Sequence, residues 1–307
     1  MQGKRKATLI GLTAVLLWSS IVGLIRGVSE SFGATGGAAL IYTVGAILLS
    51  FTVGFTKVRQ FSGRYLFWGS ILFVAYELCL SLSIGYANSG RQAIEVGMVN
   101  YLWPSFTMLA AIAFNKQKSN LLIVPGFAVA VVGICLVLGG DQGLDIAGMV
   151  GNIKTNPLSY GLAFFGALIW AAYCTVTSRM AGGKNGITLF FTLTALALWL
   201  KYFTTEDGAM GMSYHGIIYL AMAASAMGFG YAAWNVGILH GNVTILAGAS
   251  YFIPVLSAAL AAVLLQAPLS LAFWKGAAMV CAGSILCWFA TRGQSAKPAP
   301  SARSRQS

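Results

Sequence analysis

Ten stretches of roughly twenty apolar residues follow one another along this chain, divided by short breaks rich in charge, Gly, Pro or Asn. A helix needs about 20 such residues to cross a ~30 Å hydrocarbon core. In lipid, every backbone N–H and C=O must find a partner inside the structure, which leaves helices or closed barrels as the spanning options. The pattern therefore predicts an all-α integral membrane protein of ten transmembrane helices. The spans fall at about 7–26, 33–55, 65–87, 91–114, 120–139, 157–179, 185–204, 213–238, 243–265 and 270–291.

Composition supports the same class. Hydrophobic residues make up 58% of the 307 positions and charged residues 8%. A soluble domain carries about 25% charged residues, so seven acids and nineteen bases cannot coat a soluble surface of this size. A cytosolic enzyme or soluble binding module is excluded. The net charge of +12 does not point to nucleic acid, because the bases sit in breaks between apolar runs and do not gather on one hydrated, aromatic-rich face.

Those bases set an orientation. With the N-terminus inside, Lys4, Arg5, Lys6, Lys57, Arg59, Arg64, Lys116, Lys118, Arg179, Lys184, Arg292, Lys297, Arg303 and Arg305 are cytoplasmic. Only Arg26, Arg91, Lys154, Lys201 and Lys275 fall on the other side. The bias places both termini in the cytoplasm. The first apolar run lacks a small-residue cleavage site and leads straight into further spans, so it reads as retained and not as a secretory signal. Five cysteines lie inside apolar runs with no CxxC pair, and the two histidines are far apart, so neither a disulfide framework nor a metal site is expected.

The chain also repeats. At an offset of 150, Tyr101–Pro104 (YLWP) overlies Tyr251–Pro254 (YFIP), Gly126 overlies Gly276 and Gly133 overlies Gly283. Near 152, Trp18 overlies Trp170. Five spans per half is an odd number, so the second half must insert upside down relative to the first. Two inverted five-helix repeats with a site between them near the midplane are the architecture of secondary transporters. The expected organisation is a basic cytoplasmic leader at 1–6, a first repeat at 7–139, an extracytoplasmic loop at 140–156, a second repeat at 157–291 and a disordered cytoplasmic tail at 292–307.

Polar and aromatic residues within spans mark the candidate site. Glu77 is the one acid near mid-span, where a charge costs on the order of 3 kcal/mol by insertion scales. It is either a proton-sensitive or amine-binding group or a structural carboxyl held by hydroxyls. Asn100 and Asn235 need partners for their amides, as interhelical bonds or as recognition groups. Trp18, Trp103, Trp170, Tyr76, Tyr101, Tyr173 and Tyr251 lie deep enough to line a path that stacks planar solutes or attracts cations. Pro104 and Pro254 each remove a backbone donor in mid-helix, and their recurrence at one repeat position marks them as hinges.

On these residues a resemblance can be stated. Two five-span repeats with a proline in the fourth span of each resemble the drug/metabolite transporter superfamily, whose repeat is called EamA. The stretches ATLIGL (7–12), GLIRGVSE (23–30), QAIEVGMVNYLWPS (92–105), IWAAYCTVT (169–177), YAAWNVGILHGNVTI (231–245) and CWFATR (287–292) are similar to its aromatic amino acid exporter branch. The likeness covers roughly 5–292. It implies a bacterial inner-membrane exporter of aromatic and other neutral amino acids, with no cofactor, no ATP hydrolysis and no obligate protein partner. The alternative is an exporter of other small metabolites or cationic aromatic drugs. A sugar-nucleotide carrier would need bases within the path to meet phosphates, and nearly all bases here are in loops or at span ends. The sequence contains neither a GxxxxGK[ST] loop nor the paired acids or histidines that a membrane enzyme would use.

Overall fold

A computed structural model describes residues 2–182, 184–205 and 210–292. Met1 and the tail 293–307, expected to be disordered, lie outside the described residues. The chain is helical, with no strand among the described residues. In order the helices are α1 (Gln2–Ser19), α2 (Ile21–Phe32), α3 (Ala34–Thr52), α4 (Gly63–Gly85), α5 (Gly90–Asn100), α6 (Trp103–Asn115) and α7 (Ile123–Leu138). There follow α8 (Ile146–Thr155), α9 (Pro157–Met180), α10 (Ile187–Thr204), α11 (Tyr214–His240), α12 (Val243–Ser250), α13 (Ile253–Leu264) and α14 (Leu271–Arg292). The basic leader is not a separate segment; it forms the first turns of α1. The segment between the expected repeats carries a short helix, α8.

Local chemistry sets the helix starts. A side-chain oxygen of Ser62, Ser89, Asn156 or Ser213 accepts a backbone N–H in the first turn of α4, α5, α9 and α11, at 2.9 to 3.2 Å. Each occupies an N-terminal donor that the helix itself cannot satisfy. Pro157 at the first position of α9 loses nothing, because that N–H has no helical partner anyway. Between α2 and α3, Gly33 takes φ 74°, a conformation that favours glycine.

Seven helices are long and apolar enough to cross a membrane, with α5 and α6 counted as one. The number rises to eight if α1 and α2, bent by 44° at their junction, form one span. The other two expected spans are shorter. α7 has 16 residues, about 24 Å at 1.5 Å per residue, and α12 and α13 are two pieces separated at Tyr251–Phe252.

Loop contacts gather at two ends. At one, Gly211 N–H donates to Ser31 O, Asn156 Nδ2 to Tyr86 O, and Arg91 pairs with Asp141. At the other, Thr188 Oγ1 donates to Gly54 O, Gln117 Nε2 to Thr291 O, and Asn242 N–H to Thr8 Oγ1. Between the ends the most extensive helix pairs are α7 with α14, α1 with α11, α4 with α9, and α3 with α10.

Small residues make these pairs close. A Cβ placed on Gly276 would lie 2.5 Å from Gly133 O, and one on Gly283 would lie 2.6 Å from Gly126 O. α7 and α14 therefore run antiparallel with backbone against backbone. A Cβ on Gly11 of α1 would lie 2.8 Å from Gly237 Cα of α11. Lipid gives no hydrophobic drive to helix association, so close van der Waals approach at small residues supplies much of it.

The prolines sit differently from expectation. Pro104 and Pro254 are not in mid-helix; each lies at the second position of a new helix, α6 or α13. The preceding helices end at Asn100 and Ser250, and the new ones begin at Trp103 and Ile253. The proline's missing donor thus falls where a helix start has no partner for it, and the chain turns at Tyr101–Leu102 and Tyr251–Phe252.

Candidate functional site

Aromatic side chains from seven helices meet in the middle of the bundle. On α4, Phe73 and Tyr76 stand three residues apart and Glu77 follows, so they share one broad face. Tyr76 lies 4.4 Å, centroid to centroid, from Trp170 of α9, which lies 5.0 Å from Tyr173 one turn along. Trp103 at the start of α6 reaches Trp170 edge-on at 6.2 Å. Phe73 touches Tyr173 at 5.4 Å and Tyr231 of α11 at 6.2 Å. Tyr231 meets Phe191 of α10 at 5.3 Å and Trp18 of α1 at 5.1 Å, and Trp18 continues to Trp234 at 5.2 Å. Tyr42 of α3 closes on Phe191 at 5.2 Å. The rings form an unbroken series from Trp103 to Trp234. Such pairs contribute about 0.5–1.5 kcal/mol each beyond area burial.

Glu77 lies inside this series and is fully buried. Its carboxylate accepts from the Tyr42 hydroxyl at 2.6 Å and from the Tyr231 hydroxyl at 3.0 Å. Ser81, one turn along α4, donates to the Tyr42 oxygen at 3.2 Å and does not reach Glu77. The neighbouring Tyr76 points away towards α9 and α5, as the ~100° turn between adjacent helical residues requires. Its hydroxyl donates to Asn100 Oδ1 at 3.5 Å, and Asn100 Nδ2 donates to Ala163 O at 3.3 Å. Asn100 thereby ties the end of α5 to α4 and α9.

The other sequence candidates are more dispersed. Tyr101 occupies the turn after α5 and is half-buried. Asn235 is half-buried beside Trp234 and makes no hydrogen bond among the described residues. Tyr251 is buried, and its ring partner is Trp288 of α14 at 6.0 Å, outside the central series. Tyr42, Phe73, Phe190 and Phe191 belong to the centre and were not singled out from sequence. Tyr42 could have been, as an isolated hydroxyl in the middle of an otherwise apolar span.

A second buried acid was also missed. Glu95 is 3% exposed. It accepts from Arg91 Nε at 3.1 Å, Asn152 Nδ2 at 2.8 Å and the Tyr160 hydroxyl at 2.9 Å. Arg91 also reaches Asp141 at 2.8 Å, and that guanidinium holds the exposed Asp141 carboxyl below its usual range. The network fastens α8 and the start of α9 to α5. Its i,i+4 spacing from Arg91 was the available signal.

Among the described residues no three His, Cys, Asp or Glu side chains gather as metal ligands would. The central series offers aromatic faces, which stack planar groups and attract cations, around one buried carboxylate.

The fold and this centre define a multi-pass helical membrane protein with an aromatic interior. Two curated relatives are 63% identical to it: the aromatic amino acid exporter YddG of Salmonella typhimurium, over 94% of this chain and 98% of that one, and its namesake of Escherichia coli, over 94% and 99%. A protein of the same name from Ancylobacter novellus is 26% identical over 83% of this chain and 87% of that one. The chain belongs to the YddG family of aromatic amino acid exporters. No protein-family model matches it. A solved crystal structure superposes with a TM-score of 0.65 over 94% of this chain and 99% of that one, at 23% identity, so the two share a fold.

Proposed function

We propose that this protein exports aromatic and other neutral amino acids across the bacterial inner membrane by alternating access between two inverted five-span repeats. The observation that carries this reading is the central aromatic series. It is assembled from Trp18, Tyr42, Phe73, Tyr76 and Trp103 of the first half and Trp170, Tyr173, Phe191, Tyr231 and Trp234 of the second. Relatives of nearly full-length similarity are named for aromatic amino acids, and stacked rings suit such substrates. Trp18, Tyr76, Trp103, Trp170 and Tyr173 form the path, with Glu77 and Asn100 beside it and Tyr101, Asn235 and Tyr251 towards its margins.

The repeat reading draws support from packing. Shifting each span by five turns the α1–α11 pair into α9–α4 and maps α3–α10 and α7–α14 onto themselves. The helix breaks fall 150 residues apart, at Asn100/Trp103 and Ser250/Ile253. On this reading α12–α13 and α7 complete ten spans, residues 7–139 and 157–291 are the repeats, and the turns before Pro104 and Pro254 are where the repeats flex. Both termini are then cytoplasmic, so a phosphatase that works only in the periplasm should be inactive when fused after Arg292, and activity there would refute the span count.

Purified protein in vesicles preloaded with unlabelled phenylalanine is expected to accumulate labelled phenylalanine by counterflow. Absence of accumulation overturns the proposal. Trp170→Ala removes ring contacts to Phe73, Tyr76, Trp103 and Tyr173 and should weaken phenylalanine transport about tenfold, which is one to two such contacts in free energy. Trp103→Ala, which joins the series only through Trp170, should cost less.

A further inference from the structure

We propose that Tyr231 is a positioning residue for aromatic substrates: anchored on Glu77, it holds Trp18 in place on the path. The inference rests on the transport reading above and assigns a specificity role to a residue outside the path itself.

Four observations on α1, α4 and α11 carry it. The Tyr231 hydroxyl donates to Glu77 Oε1 at 3.0 Å while the other carboxylate oxygen is held by Tyr42 at 2.6 Å. The carboxylate is therefore fixed by a third helix and serves as a firm anchor. The Tyr231 ring meets Trp18 in an edge-on arrangement, 66° between planes and 5.1 Å between centroids. Gly230, the residue before it, leaves the space the indole occupies: a Cβ there would lie 2.6 Å from Trp18 Nε1. Trp234, three residues on, covers another part of the same indole at 5.2 Å. One stretch of α11 thus sets the orientation of Trp18 from three positions.

The fourth observation concerns what Trp18 itself is free to do. Its indole N–H is buried with no hydrogen-bond partner among the described residues. A buried donor left unpaired is unfavourable, so Trp18 is held by shape and ring contacts and by no polar bond of its own. Its orientation then depends on Tyr231, which in turn depends on Glu77. Removing the Tyr231 hydroxyl leaves the ring in place and releases only the anchor.

Tyr231→Phe separates this role from simple packing. In counterflow, KM for phenylalanine should rise about five- to tenfold, as for loss of one hydrogen bond to a buried charged group. Maximal rate, and KM for alanine, should stay within about twofold, because alanine presents no ring to Trp18. Glu77→Gln should shift KM for phenylalanine in the same direction, and the double variant should be no worse than the poorer single one, since both weaken one interaction. Trp18→Phe, which leaves the Glu77 cluster intact, should show the same selective loss and gives an independent arm if Tyr231→Phe does not fold. Equal losses for phenylalanine and alanine, additive costs in the double variant, or an unchanged KM for phenylalanine each overturn the proposal while leaving the exporter reading intact. Wild-type protein that moves alanine but not phenylalanine overturns the aromatic-substrate reading and this proposal together.

Discussion

Leucine in place of Gly276 is expected to leave no folded, monodisperse protein in detergent. The Cβ of any residue there would sit 2.5 Å from the Gly133 carbonyl oxygen and 2.9 Å from a Val137 methyl. The first of these is backbone in the middle of α7 and cannot swing aside, so the helices must part along their length. Overpacking of this kind costs about 1–3 kcal/mol for a few added carbons and more when the obstacle is rigid. Alanine at the same position should be folded but less heat-stable. Gly161 of α9 supplies the contrast: nothing lies within 4 Å of a Cβ built there. Gly161→Ala should be neutral or slightly stabilising, since alanine is the better helix former by about 1 kcal/mol. Thermal unfolding followed by size-exclusion chromatography reads all three. If the Gly276 and Gly161 variants behave alike, the close approach of α7 and α14 is wrong.

The second large effect is at Glu77. Alanine there strips the acceptor from two buried hydroxyls, Tyr42 and Tyr231, on two other helices. Each orphaned donor costs about 1–3 kcal/mol, and the lost side chain adds a cavity. Expression of folded protein should fall severalfold. Glutamine keeps one acceptor oxygen, and its amide can donate to a tyrosine oxygen, so Glu77→Gln should be recovered at close to wild-type yield. Folded yields of the two variants, compared by fluorescence-detected chromatography, check this. Equal yields would mean that the tyrosine hydroxyls do not depend on the carboxylate.

The sequence made some of this legible because the responsible physics is local. Apolar length marks a helix in lipid without reference to the rest of the fold, so α3, α4, α9, α10, α11 and α14 could be placed to within a few residues. The breaks near Pro104 and Pro254 were visible because proline acts on its own chain. Their position at helix starts was not, since the turns at Tyr101 and Tyr251 depend on what the preceding helix packs against. Trp18, Tyr76, Trp103, Trp170 and Tyr173 were found because large aromatic residues deep in spans are uncommon. Tyr251 had the same signature and yet pairs with Trp288, since depth along a helix does not specify which way a side chain faces. Phe73 and Phe191 were hidden for the converse reason: phenylalanine in a span looks like any lipid-facing residue until the neighbouring helix is placed. Glu95 was read as a span-end acid facing water. Its burial comes from Asn152 and Tyr160, more than fifty residues away in sequence.

The glycines of α7 and α14 are spaced alike, seven residues apart on each helix, and they meet crosswise: Gly126 against Gly283 and Gly133 against Gly276. In an antiparallel pair, that spacing is its own complement. A helix with this pattern fits an inverted copy of itself as well as it fits its partner. A single ancestral half could therefore have formed this seam as a homodimer of oppositely inserted copies, before any fusion. Once the halves were joined, each glycine became individually replaceable in evolution only if its counterpart on the facing helix still left room.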